Sequence, residues 1–227
     1  MTPRKNGALD LCSFCGTTDE LTKEHVIPKW TYEGATEKFF TTNMNGLDQT
    51  YNKTTIPACA ECNNEKLSSL EFYLTKIFSE INLPTEYFNN EDLSHIIRWL
   101  EIIDYKFQIL NAKRIFLAHK EKGYIADLAD APLSILRESV NYSPSKAVTE
   151  IRRSLKRLTI KDKSQHLNSL TIFKTKNNGF YFFHKMDDFI FIEIPQHKIA
   201  LFYFYKKTFK TLKSGQRATK KIIDQVY

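Results

Sequence analysis

The sequence predicts an α+β fold: a small cysteine-organised unit at the N-terminus, a helical middle and an antiparallel β-meander at the C-terminus. Three observations carry this expectation. All four cysteines fall into two Cys-x-x-Cys pairs, Cys12–Cys15 and Cys59–Cys62, within a turn-rich first quarter. From about Cys62, apolar residues recur at three- and four-residue spacing, the period of one helix face. From Leu170, short β-branched and aromatic runs alternate with turn residues.

The elements follow in order. Residues 1–66 read as irregular, held by a metal rather than by an apolar core. Leu67, Leu70, Leu74, Ile77, Phe78 and Ile81 predict a helix that Asn82-Leu83-Pro84 stops. A second helix starts at Asn90-Glu91-Asp92, buries Leu93, Ile96, Ile97, Leu100, Ile103 and Phe107, and runs to about Phe116. A short helix is expected over Pro132–Val140. Another follows from Ser143, an N-cap, and Pro144 at the first helical position, to about Leu158. Its late Arg152, Arg153, Lys156 and Arg157 suit either the helix dipole or a phosphate.

Thr171–Lys174 and Phe180–Phe183 flank Asn177-Asn178-Gly179, which predicts a hairpin. Phe189–Ile194 and Lys198–Tyr205 complete a four-stranded meander. Its Phe and Tyr side chains read as cross-strand packing before base-stacking platforms. Lys206–Lys221 is a basic, partly helical tail carrying Lys206, Lys207, Lys210, Lys213, Arg217, Lys220 and Lys221.

Composition narrows the function classes. A chain of 227 residues, 42% hydrophobic and 26% charged, has room for one large domain or two small ones. It holds no apolar run of about 18 residues, and Met1–Gly7 starts basic without an apolar stretch behind it. A cytoplasmic protein without a membrane partner is therefore expected. In that setting paired cysteines read as metal ligands rather than disulfides. Lys plus Arg number 33 against 26 acids, a net +7, which favours a polyanionic partner, nucleic acid first. Solvated lysine faces produce the same sign of charge.

A Cys-x-x-Cys turn presents two thiolates from one tight loop, and two such turns complete a tetrahedron. Cys12, Cys15, Cys59 and Cys62 are thus expected to bind a structural zinc ion with no open position. That ion would supply folding energy to a region poor in apolar residues.

Between the knuckles lies Glu24-His25-Val26-Ile27-Pro28, and Asn63-Asn64-Glu65-Lys66 follows the last cysteine. Over residues 12–71 this combination resembles the zinc-ribbon branch of the HNH endonucleases, the ββα-metal nucleases. The resemblance implies an N-terminal zinc-stapled ββα-metal unit, here bounded at residues 1–83. Residues 84–227 then form a helical and β-meander region that chooses substrate or partner. It implies metal-dependent hydrolysis of phosphodiester bonds, in DNA ahead of RNA, with His25 as general base. Glu24 and Asn63 would hold a catalytic Mg²⁺ or Mn²⁺, separate from the zinc. A bacterial or phage role in antiviral defence, or in a mobile element, would suit such a protein. The family more often has Asp where Glu24 stands. Its middle Asn has no clear counterpart: Lys53-Thr54-Thr55-Ile56 occupies that place, with Asn52 nearest and Asn43 and Asn45 further off.

Physical chemistry asks for these residue types independently. An imidazole with a pKa near 6.5 can take a proton from water at neutral pH. A carboxylate and an amide oxygen are hard ligands that leave room for water and phosphate oxygens. Lys66 and Lys29 are candidates for phosphate contact. Adjacent strand residues point to opposite faces, so Glu24 and His25 act together only on an irregular backbone or with substrate between them. Asn63 also suits a helix cap. Two other readings stay open: a non-catalytic zinc-knuckle protein that binds nucleic acid, and an RNA-cleaving effector using the same residues. A protein partner or oligomer contact is assigned to the C-terminal region.

Overall fold

The computed structural model describes residues 11–33, 39–42, 47–50, 54–82, 87–122, 152 and 163–226. The chain divides into two units, each built from separate stretches of sequence. The first comprises Met1–Ile27, Phe39–Ser69 and Tyr105–Arg157; the second comprises Pro28–Lys38, Leu70–Asp104 and Leu158–Tyr227. The helices expected at 132–140 and 144–158 lie outside the described residues, apart from Arg152, as do Asn43, Asn45 and Asn52. No described helix is long and apolar enough to cross a membrane.

In the first unit, β1 (Leu21–His25) pairs antiparallel with β4 (Thr55–Cys59), in a regular register from Leu21↔Cys59 to His25↔Thr55. Between them β2 (Phe39–Thr42) pairs with β3 (Leu47–Thr50). A helix follows β4 directly. Its first part, Glu61–Leu67, has the wide π geometry; α1 (Ser68–Glu80) continues it, and the unit boundary falls after Ser69. Residues 1–66, expected to be irregular, thus carry four strands among the described residues, and beside the cluster of Cys12, Ala58, Cys59 and Cys62, flanked by Phe14 and Leu21, the unit also buries Val26, Ile27, Ile56 and Phe107.

Helix α1 buries Leu70, Leu74 and Phe78, the stripe its periodicity predicts. Helix α2 (Asn90–Lys122) starts where expected and runs further. Asp92 accepts a hydrogen bond from the Asn89 backbone N–H, and its own N–H donates to the Asn89 side chain, a reciprocal cap. In the second unit α2 buries Ile96, Ile97, Trp99, Leu100 and Ile103. Trp30 stacks on Trp99 with ring centroids 5.3 Å apart, so it packs the loop after Pro28.

The C-terminal sheet is antiparallel with order β5-β8-β7-β6. β5 is Leu170–Lys174, β6 Phe182–Lys185, β7 Phe189–Ile194 and β8 Ile199–Phe204. β6, β7 and β8 form the expected meander. The expected hairpin between β5 and β6 does not form: the two strands sit at opposite edges, and β5 pairs with β8. This is a Greek-key order. The physical reason lies in residues 175–181, which cross the end of the sheet instead of reversing on themselves. The Asn177 Oδ1 accepts from the Gly179 N–H at 3.0 Å, an Asx turn. Thr175 and Asn177 both donate to the buried carboxylate of Glu193 on β7, which fastens the crossing.

Phe191, Phe202 and Phe204 on one sheet face are covered by Phe209, Ala218, Ile222 and Ile223. The last three lie on α3 (Leu212–Val226). The sheet aromatics are therefore core. Helix α3 begins with a capping box in which the Ser214 N–H donates to Thr211 Oγ1 and the Thr211 N–H donates to Ser214 Oγ.

Candidate metal centre and active site

The two knuckles close on each other. The ligand sulfurs of Cys12, Cys15, Cys59 and Cys62 all lie within 4.8 Å of one another. Four thiolates about 2.3 Å from one zinc ion sit about 3.8 Å apart; the Cys15–Cys59 pair is at 3.6 Å, near that edge length. A disulfide needs about 2.0 Å, so the arrangement suits a tetrahedral ion. Backbone shapes each knuckle. The N–H groups of Phe14 and Cys15 point at Cys12 Sγ, at 3.4 and 3.5 Å, and Gly16 N–H donates to the Cys12 carbonyl at 2.9 Å. Gly16 has φ +87°, and a Cβ there would overlap the Arg152 guanidinium. The Ser13 N–H donates to Pro57 O at 2.9 Å, and Tyr105 donates to Ser13 O, which ties the first knuckle to β4 and α2.

Electrostatics favour a cation at this place. Burial opposes ionisation of Cys12, but hydrogen bonds from the Cys15, Cys59 and Phe14 backbone outweigh it and hold its thiol at about 7. Burial and the neighbouring sulfurs push Cys62 far above its ordinary value. Four crowded thiols cannot all ionise alone, and a divalent ion removes that conflict.

Strand β1 sorts the acid and the histidine. Glu24 is buried at 7% exposure on the ribbon face it shares with Thr22, Ile56 and Ala58. The half-buried His25 ends the strand on the other face, opposite Thr55. Because β1 is regular through His25, only substrate lying between them could bring the two side chains to one reaction. Glu24 Oε1 forms an ion pair with the buried ammonium of Lys106 on α2. The same ammonium donates to the His25 carbonyl at 3.1 Å. Lys106 is thus the group that joins Glu24 to the backbone of His25. Asn63 sits in the first turn of the π segment, where its Nδ2 donates to Thr22 Oγ1 at 2.9 Å. That bond places Asn63 on the same ribbon face as Glu24.

Lys66 is exposed and pairs with Glu61 at 2.7 Å; the five-residue spacing matches a π turn. Glu61 raises its pKa, chiefly through this hydrogen bond. Lys29 is exposed and opens a 3₁₀ turn, Lys29–Tyr32, in the second unit.

Sequence reasoning missed Lys106. Its signal was a lysine amid Ile102, Ile103, Phe107, Ile109 and Leu110, where charge survives only with a partner. Arg152 packs on the Gly16 knuckle, a contact between distant positions that no local pattern announces. Neither a protein-family model nor a curated protein nor a solved structure matches the chain.

Proposed function

We propose that the protein is a zinc-stapled, divalent-metal-dependent HNH-type endonuclease that hydrolyses phosphodiester bonds in DNA. The supporting observation is the four-sulfur cluster, which binds the loop before β1 to the start of the helix after β4. In this reading the ribbon and helix carry the reacting groups: His25 ends β1 opposite Thr55, and Asn63 lies in the turn after β4, beside Thr22 at the other end of the ribbon. In the proposed reaction His25 takes the proton of the attacking water. A neutral imidazole has this capacity near pH 7. Lys106 fixes the backbone of His25, and Thr22 orients the Asn63 amide.

The Glu24 carboxylate and the Asn63 amide carbonyl are hard oxygen donors on one ribbon face, a set that fits Mg²⁺ or Mn²⁺. An ion held there would relieve charge on the phosphorane and on the leaving oxygen. Lys106 already neutralises part of the Glu24 charge, which weakens such a site and makes substrate phosphate a needed co-ligand.

That same ion pair favours a second reading, a zinc-knuckle protein that binds nucleic acid without cutting it, because it gives Glu24 a structural task. Plasmid DNA and total RNA, each incubated with zinc-loaded protein and Mg²⁺, Mn²⁺ or EDTA, separate the readings. Metal-dependent nicking of DNA, absent in His25→Ala, is expected. Binding without cleavage by either protein would leave the second reading standing. Cleavage of RNA alone would point to an RNA-cleaving effector.

A further inference from the structure

Charge in this chain is concentrated at one end. Residues 206–226 hold seven cations and a single acid, Asp224, so they carry six of the net seven positive charges. Helix α3 sorts them. With about 100° between successive residues, Lys213, Arg217, Lys220 and Lys221 fall within about 100° of arc. Ala218, Ile222 and Ile223 lie on the opposing side, against the sheet phenylalanines. All four cations are exposed. Lys206, Lys207 and Lys220 have acidic partners in Asp187, Asp188 and Asp224. Among the described residues, Lys210, Lys213, Arg217 and Lys221 have none.

We infer that the outer face of α3 is a docking surface for the phosphate backbone of double-stranded DNA. Lys213 to Lys221 spans about 12 Å of helix axis at about 1.5 Å per residue. Phosphates on a duplex supply a charge about every 1.7 Å along its axis, so several lie within reach of four side chains. A membrane surface fits less well, because amphipathic membrane helices lay an apolar face into the lipid. Here that face is packed on the sheet. The contact is independent of base sequence, since lysine and arginine on phosphate position a duplex without reading it. It deepens the nuclease reading by naming the surface that holds the substrate, yet it is measured without turnover.

The test uses the full zinc-loaded chain and fluorescence anisotropy of a labelled duplex over a salt series, with no Mg²⁺ or Mn²⁺ added. The variant replaces Lys213, Arg217, Lys220 and Lys221, the four cations of that face, by Gln. All four are exposed, and circular dichroism checks that the fold is kept. Each lost phosphate contact lowers the slope of log affinity against log salt by about 0.9. A fall of about 3 to 4 in that slope is expected, with at least about tenfold weaker binding at about 0.1 M salt. The control Lys76→Gln/Lys176→Gln should change little. An unchanged slope, an equal effect per charge in the control, or tighter binding to phosphatidylserine vesicles than to the duplex would overturn the assignment. His25→Ala should bind as the parent does, so failure of cleavage and failure of this surface are distinguishable.

Discussion

At the scale of single residues, Lys106 and Glu24 decide most. Both are buried, and removing one partner strands the other charge in a low-dielectric setting. Breaking such a pair typically costs about 3–5 kcal/mol, whereas replacing both partners is often close to neutral. Lys106→Met should therefore lower stability to chemical denaturation more than Glu24→Gln/Lys106→Met does. Equal destabilisation of the two proteins would show that the pair carries no such coupling. The pair was not legible in the sequence, because its members stand 82 positions apart and no local period links them. The cysteines were legible, because their chemistry is written in two short spacings.

His197 supplies a second prediction at this scale. It lies against Trp30 and Phe78, with ring centroids 6.3 and 6.2 Å away. Burial lowers its pKa below the ordinary 6.5. Above that value the imidazole is neutral in folded and unfolded chain alike, and its contribution is complete. As pH falls below it, the unfolded chain takes up a proton that the folded one resists, so stability declines. Denaturation midpoints at about pH 7.5 and about pH 5.5 should fall less for His197→Asn than for the parent. An identical fall would exclude His197 as a source.

Among the elements, α3 shows how local and non-local signals divide. Its amphipathic pattern and its capping residues are local, and the basic tail was expected to be partly helical. Its close approach to Asn168 was not legible, since nothing near Gly215 in sequence announces that neighbour. A Cβ at Gly215 would meet the Asn168 carbonyl oxygen at 2.1 Å. Gly→Ala inside a helix gains about 0.5–1 kcal/mol, while overpacking costs about 1–3 kcal/mol. The clash should win, and Gly215→Ala should melt below the parent; a higher melting temperature would mean that the turn before β5 yields freely. β5 teaches the same lesson. Asn177-Asn178-Gly179 does make a turn, as its residues require, but which strands a turn joins depends on Glu193, which anchors Thr175 and Asn177. Most of the α1 and α2 stripes, being periodic over many residues, were readable: Leu70, Leu74, Phe78, Ile96, Ile97, Leu100, Ile103 and Phe107 are buried, whereas Ile77 and Leu93 are only half-buried.

For the whole molecule, fold class and the four-cysteine cluster came through from sequence because both rest on repeated or clustered residue types. The α+β layout, the antiparallel sheets and the four-sulfur cluster follow. The assembly of each unit from separated stretches does not, since chain return is set by tertiary packing. The two units carry different parts of the proposed activity. The first holds the sulfurs, His25 and Asn63; the second holds the basic segment 206–226, with the cationic face of α3. Chemistry and substrate grip are thereby separable by mutation. The most direct measurement is the single-turnover rate of duplex cleavage by zinc-loaded protein at saturating Mg²⁺, parent beside His25→Ala. A general base contributes roughly 10²–10⁴-fold, so a loss of that size is predicted, with zinc content, melting temperature and DNA affinity unchanged. Equal rates in the two proteins would contradict His25 as the base, and no cleavage by either would remove the support for a nuclease.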